Sequence, residues 1–444
     1  MLAPKEIRPP LQVRKNLLSI KRIIANMSQV VKTGFWARYF KLRISKRTFT
    51  ALLIFIIAFL SWFFAFPQFG PIISEFFSKF QALGIDKGKW VMLFFASMTA
   101  SAIGSGFLVD KTLKKILIIA IFTPIITGLT LAFLWLNFDT SFLFAIILGL
   151  TAGVSPVAIG AYFADQTPPE DRGRIVGIAI GATLLISQIF LLTGPISIAS
   201  ITNTELIIIA IVLLLTFVGL TFRPKEKPQE TPVAKRRKGP PPKQITLYAI
   251  PIFLFYVVAG ILFSMVFPTI QNHISNTTFY LIWVIPFVIG AVIAGVQLDT
   301  RGRKFPTILG LAITGVSLAV FGILGVNWGY LCIIPLAVGY SIVAITSIVV
   351  WADLAPANSR GKYYGLGFGL LAAAQMIGLI LSGVNFGIAS STQIGSYMLF
   401  ASIALFLCIP PLFLADEALP KELIEKRQLL DYLEGVKNKF TGKK

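Results

Sequence analysis

Histidine occurs once, at His273, and cysteine twice, at Cys332 and Cys408, in a chain of 444 residues. So few ligands argue against a metal centre, a disulfide framework and histidine-based catalysis. Acid is scarce as well, with 19 Asp and Glu against 40 Lys and Arg. Charged residues make up 13% of the chain, where a soluble protein carries about a quarter. Residues 277–298 and 305–350 hold none at all. The composition is apolar instead: 56% hydrophobic residues and a mean hydropathy of +0.80. Such a chain belongs in lipid. Its first 50 residues have no apolar core followed by a small-residue cleavage site, so no cleaved signal peptide is expected.

A bilayer crossing needs about 20 mostly apolar residues. Twelve runs qualify: 48–70, 89–109, 115–136, 141–164, 173–197 and 205–222, then 245–270, 278–298, 305–325, 329–352, 362–387 and 395–415. An even number puts both termini on one side. Of the 40 Lys and Arg, 37 fall in the two termini and the even-numbered connections; only Lys79, Lys87 and Lys89 do not. By the positive-inside rule both termini are cytoplasmic, and the plasma membrane is the expected location. The excess of +21 is then a rim facing anionic lipid headgroups rather than a nucleic-acid surface. Residues 17–35 place Leu17, Ile20, Ile24, Met27, Val31 and Phe35 at helical spacing among cations, which predicts an interfacial helix. His273 is expected in a solvated loop. Cys332 and Cys408 are expected to be free, about 14 Å apart in depth.

The expected organisation is a basic segment 1–47, a six-span half 48–222, a linker 223–244 rich in Pro and charge, a second half 245–415, and a tail 416–444. The halves repeat. ADQTPPEDRGRIVGIAIG (164–181) aligns with ADLAPANSRGKYYGLGFG (352–369) at an offset of 188 residues. GFLVDKTLKK (106–115) aligns with GVQLDTRGRK (295–304) at 189. Parallel repeats of this kind mark transporters that rock about a central site.

G-x-x-x-D-x-x-G-R-K after the second span of each half resembles the signature of the major facilitator superfamily. D-x-x-P-x-x-x-R-G, closing each fourth span, does so too. The likeness covers about residues 48–415. The first-half copy departs from it at Leu113, where the motif has glycine. The resemblance implies an all-α membrane fold of 12 transmembrane helices in two six-helix pseudo-repeat halves, with a cytoplasmic gate.

The residues support that gate on their own terms. The 299–304 connection is too short for anything but a tight turn, and Gly302 supplies the positive φ such a turn needs. Asp299 is expected at the start of the fifth span near Gly173, where unpaired N–H groups favour a carboxylate. Asp110 is expected in the same relation to Gly361. Arg172 and Arg360 are placed to bridge to the opposite half, and Asp165 and Asp353 to receive cations. Lys114, Lys115, Arg301 and Arg303 complete the expected gate. Lys111 and Arg174 are read as ordinary rim charges.

No carboxylate or cation lies in the middle of any span, which speaks against a proton relay and against a charged substrate. Ser61, Gln188, Tyr256, Tyr340 and Gln375 are the candidates for contacting a solute. Gln188 and Gln375 stand at similar depths in related spans and are the costliest to leave unpaired. Many Ser and Thr hydroxyls are expected to bond back to their own helices. No cofactor or metal is implied, no paired carboxylates or serine constellation suggests an enzyme, and a monomer is expected. The expected function is movement of a small neutral or amphipathic solute by alternating access. Efflux of hydrophobic compounds stands first and import of a neutral polar solute such as a sugar second. A non-transporting receptor or scaffold on the same fold is the alternative from another class. Substrate, direction and coupling ion stay open.

Overall fold

The computed structural model describes residues 46–65, 86–111, 115–132, 141–192, 241–271, 273–356, 358–382, 391–420 and parts of 422–433. The described elements are helices: α1 (Lys46–Ala65), α2 (Lys87–Lys111), α3 (Lys115–Ala132), α4 (Ser141–Gln166), α5 (Arg172–Leu192), α6 (Pro242–Ile261), α7 (Phe267–Gln271), α8 (Asn276–Arg301), α9 (Lys304–Gly329), α10 (Ile333–Leu354), α11 (Arg360–Leu381), α12 (Ser391–Leu407) and α13 (Ile409–Leu414). A π-helical turn, Leu262–Val266, joins α6 to α7, and a 3₁₀ turn, Tyr330–Cys332, leads into α10. Eleven of the twelve expected spans overlap described helices; the span ends at 66–70, 133–136, 193–197 and 383–387 lie outside the described residues. The sixth span at 205–222, the interfacial helix at 17–35 and most of the linker lie outside the described residues. Among the described residues, eight helical stretches are long and apolar enough to cross a membrane.

Local sequence sets the helix ends. Asp86 caps α2 by accepting from the amides of Gly88 (3.0 Å) and Lys89 (3.2 Å). Ser275 does the same for α8 through the Thr278 amide. Gly302, at φ 89°, ends α8 and lets α9 begin two residues later. Gly325, at φ 69°, breaks α9 near its far end.

Two antiparallel helix pairs matter most for the site: α2 against α11, and α5 against α8. Each joins a helix of the first repeat to one of the second, and glycine sets their spacing. A Cβ on Gly106 would fall 2.8 Å from the Gly361 carbonyl oxygen, and one on Gly365 2.7 Å from that of Ala102. In the other pair, a Cβ on Gly177 would fall 2.5 Å from the Ala291 carbonyl oxygen, and one on Gly295 2.6 Å from that of Gly173. Helices that touch through backbone gain dispersion that larger side chains would forbid, which is how helices associate in lipid. α4 also meets α11, where the Tyr364 ring fills the space over Gly160. One step further from the charged end, Trp62 of α1 meets Phe368 of α11, with ring centroids 6.5 Å apart.

Candidate functional site

The ends of α2, α4, α5, α8, α10 and α11 converge on a cluster of carboxylates and cations. Asp299, in the last turn of α8, accepts from the amides of Gly173 (2.8 Å) and Arg174 (2.9 Å) in the first turn of α5. Asp110, in the last turn of α2, accepts from the amides of Gly361 (2.6 Å) and Lys362 (3.0 Å) in the first turn of α11. Each carboxylate spans two unpaired N–H groups at a positive helix end, an arrangement that stabilises a carboxylate by about 0.3–2 kcal/mol. The glycine at each receiving position is required, since a Cβ on Gly173 would lie 2.6 Å from Asp299 Oδ1.

The arginines cross between the repeats. Arg172 donates to Asp353, and Arg360 to Asp165 at 2.5 Å. Arg172 also donates to the carbonyls of Ala164 and Thr167, which end α4. A cation suits that negative end. Lys115 joins Asp165 at 2.7 Å.

Arg303 is the most heavily engaged. Its Nε donates to Asp353 (2.7 Å), and its Nη1 to Asp299 (2.8 Å) and the Leu298 carbonyl (2.6 Å). Its Nη2 reaches the Pro169 carbonyl (2.8 Å), between α4 and α5. Burial alone would lower the pKa of this guanidinium, but the carboxylates of Asp353 and Asp299 outweigh it and hold it above the ordinary arginine value.

The two seams differ. Around α5 and α8 the paired side chains of Arg172, Arg174, Asp299, Arg303 and Asp353 are at most 3% exposed. Around α2 and α11, Arg360, Asp165 and Lys115 are 13–23% exposed. Breaking a fully buried pair by removing one partner costs about 3–5 kcal/mol, and less where water reaches the pair. The first seam is therefore the tighter.

Three sequence readings need correction or addition. Arg301 takes no part in the cluster; it is exposed, with its guanidinium 5.4 Å from the Phe305 ring centroid. Its place in the turn, next to Gly302, points it out of the seam that Arg303 enters. Arg174 is not a rim charge: it is buried, 3.9 Å from Asp299. Glu417, beyond the last span, was missed. Its carboxylate accepts from the amides of Arg303 (2.6 Å) and Lys304 (3.1 Å) and so caps α9. Lys114 lies outside the described residues, and Lys111 is exposed at the end of α2.

The solute candidates are placed unequally. Ser61 donates back to the Ile57 carbonyl of its own helix. Tyr256 bonds Ser347 of α10 at 2.8 Å. Tyr340 stands among rings, with centroids 4.9 Å from Phe255 and 5.5 Å from Trp283. Gln375 is buried in α11, and its Oε1 has no hydrogen-bond partner. Helical spacing sets it on the same face as Tyr364, Phe368 and Leu371, the face turned to α1 and α4. The Gln188 side chain lies outside the described residues. His273 is exposed, and both cysteines are free thiols and buried.

The sequence matches the family model described as Major Facilitator Superfamily over residues 51–379. No curated protein matches it by sequence. Solved structures that share its fold include three membrane transporters. The proton:xylose symporter XylE, bound to 6-bromo-6-deoxy-D-glucose, superposes with a TM-score of 0.64 at 14% identity, over 85% of this chain and 98% of that one. FucP in the outward conformation gives 0.61 at 12%, over 84% and 100%. The human organic anion transporter MFSD10 (TETRAN) gives 0.59 at 16%, over 82% and 98%.

Proposed function

Since the chain belongs to the Major Facilitator Superfamily, we propose that it is a secondary active or facilitative transporter working by alternating access on a small neutral or amphipathic solute. One observation carries the mechanism. Four carboxylates, Asp110, Asp165, Asp299 and Asp353, each bond a group from the opposite repeat at a single end of the molecule. Those bonds exist only while that end is shut, so they favour the state open at the other end and must break for the solute to leave. The positive-inside count makes the shut end cytoplasmic. The cluster is then the cytoplasmic gate.

The middle of the spans carries no charge, so the solute finds only neutral partners there. Gln375 supports a contact of this kind, because a buried carboxamide oxygen without a partner costs about 1–3 kcal/mol. A solute N–H or O–H would relieve it. Tyr364 and Phe368, on the same face of α11 as Gln375, favour a hydrophobic or amphipathic compound over a sugar.

A thermal-shift screen of the purified protein tests this, with neutral sugars and polyols against lipophilic compounds. A ligand specific for the native state at 100 times its Kd adds about 2.7 kcal/mol. The shift should vanish in Gln375→Ala. Reconstituted flux of the same ligand should fall in Asp299→Asn with binding retained. Flux unchanged in a well-expressed Asp299→Asn would remove the gate.

A further inference from the structure

Beyond the last span the chain does not leave the protein. Ala415, Ala418 and Leu419 are buried, so residues 415–419 pack as a clasp against the charged end. The Tyr248 hydroxyl of α6 donates to the Asp416 carbonyl at 3.0 Å. Lys304 Nζ donates to the carbonyls of Phe413 (2.8 Å) and Ala415 (3.0 Å), where α13 ends. Glu417 takes the two amides that open α9, and a Cβ on Gly302 would sit 2.4 Å from its carboxylate. The amide of Arg303 is thus fixed by the tail, while its guanidinium is fixed by Asp299, Asp353 and the Pro169 carbonyl of the other repeat.

We propose that Glu417 is a positioning residue of the gate: by clamping the backbone of Arg303 it aims that guanidinium across the α5–α8 seam, so the C-terminal segment sets how tightly this seam closes. The inference rests on the gate reading above. A guanidinium that binds four acceptors in a fork tolerates little rotation of its own backbone. Free Arg303 at its amide, and the turn at Gly302 loses the carboxylate that fills it. The α2–α11 seam does not contain Arg303, so release of Glu417 should loosen one seam and spare the other. The tail thereby becomes a handle: whatever draws residues 415–419 away should weaken the closed state.

The test is amide hydrogen exchange on the full chain in detergent. Gly173 and Arg174 report the α5–α8 seam, and Gly361 and Lys362 report the other. Glu417→Ala should accelerate exchange at 173–174 by at least roughly tenfold, with little change at 361–362. Glu417→Gln, which keeps one acceptor, should fall between. Arg303→Lys should match Glu417→Ala, and the double variant should be no worse than Arg303→Lys alone, since both act through one side chain. Faster exchange confined to 302–305 and 415–419 would mean an ordinary helix cap and overturn the proposal. Equal acceleration at both seams would mean general loosening and overturn it too. Asp110→Asn is the reference. If it accelerates 361–362 while Glu417→Ala leaves 173–174 unchanged, the clasp falls and the gate stands. If neither variant moves either seam, the gate falls as well.

Discussion

Gly302 shows how much one backbone conformation controls. Its φ of 89° and ψ of −177° lie where only glycine is at ease. The turn it makes is what places Arg303 inside the cluster and Arg301 outside it. Gly302→Ala meets two penalties at once, the strained backbone and a Cβ driven into the Glu417 carboxylate. The backbone penalty alone is of order 1–3 kcal/mol. Thermal unfolding in detergent should register a clear loss of stability, and Glu417→Ala in the same chain should restore part of it by vacating the space. No loss would mean the turn readily takes another shape. The sequence made Gly302 legible, because a two-residue reversal between long helices demands such a residue. It did not separate Arg301 from Arg303, since both are cations in one loop and only the turn's geometry sorts them. Arg174 was misread for a related reason: its repeat partner is Lys362, which is exposed, and repetition hides the fact that one seam is dry.

At the scale of helices, glycine spacing decides whether the repeats can meet. Gly365 faces α2, and a Cβ there would lie 2.9 Å from the Gly106 Cα. Gly104, on α2 itself, has nothing within 4 Å of such a position. Valine at Gly365 should therefore wedge α2 from α11, while Gly104→Val should leave the pair intact. Spin labels on Lys111→Cys and Lys362→Cys, both exposed at the shut end, should report a longer distance for Gly365→Val only. The same distance in both would show that backbone contact does not hold the seam. The glycine positions 173, 177, 361 and 365 were visible in the repeat, and so were the carboxylates that face 173 and 361. The clasp was not. Carried back by 188 or 189 residues, Glu417 falls on Gln229 or Pro228, neither of them an acid. A contact with no copy in the other half leaves no trace in a comparison of halves. Aromatic packing was equally hidden, because lipid-facing and core-facing rings look alike in a sequence that is apolar on every side.

For the molecule as a whole, charge placement fixes function only if the shut end faces the cytoplasm. The proposed orientation rests on the count of basic residues by connection, and the inter-repeat bonds lie at that basic end. The native thiols make the orientation testable with little background, since Cys332 and Cys408 are both buried. Ser275→Cys stands exposed before α8 and Lys362→Cys exposed at the start of α11, at opposite ends of their helices from one another. In sealed right-side-out vesicles a membrane-impermeant maleimide should modify the first and spare the second, and permeabilisation should expose both. The reverse pattern would place the charged cluster outside, and the gate would then close the outer mouth. That inversion is physically costly, because it moves a basic rim away from anionic headgroups that attract it by about 1 kcal/mol per cation near the surface. On the proposed orientation, the bonds of the proposed gate and the basic rim gather at one face, where anionic lipid would hold the cations and where the carboxylates cap helix ends.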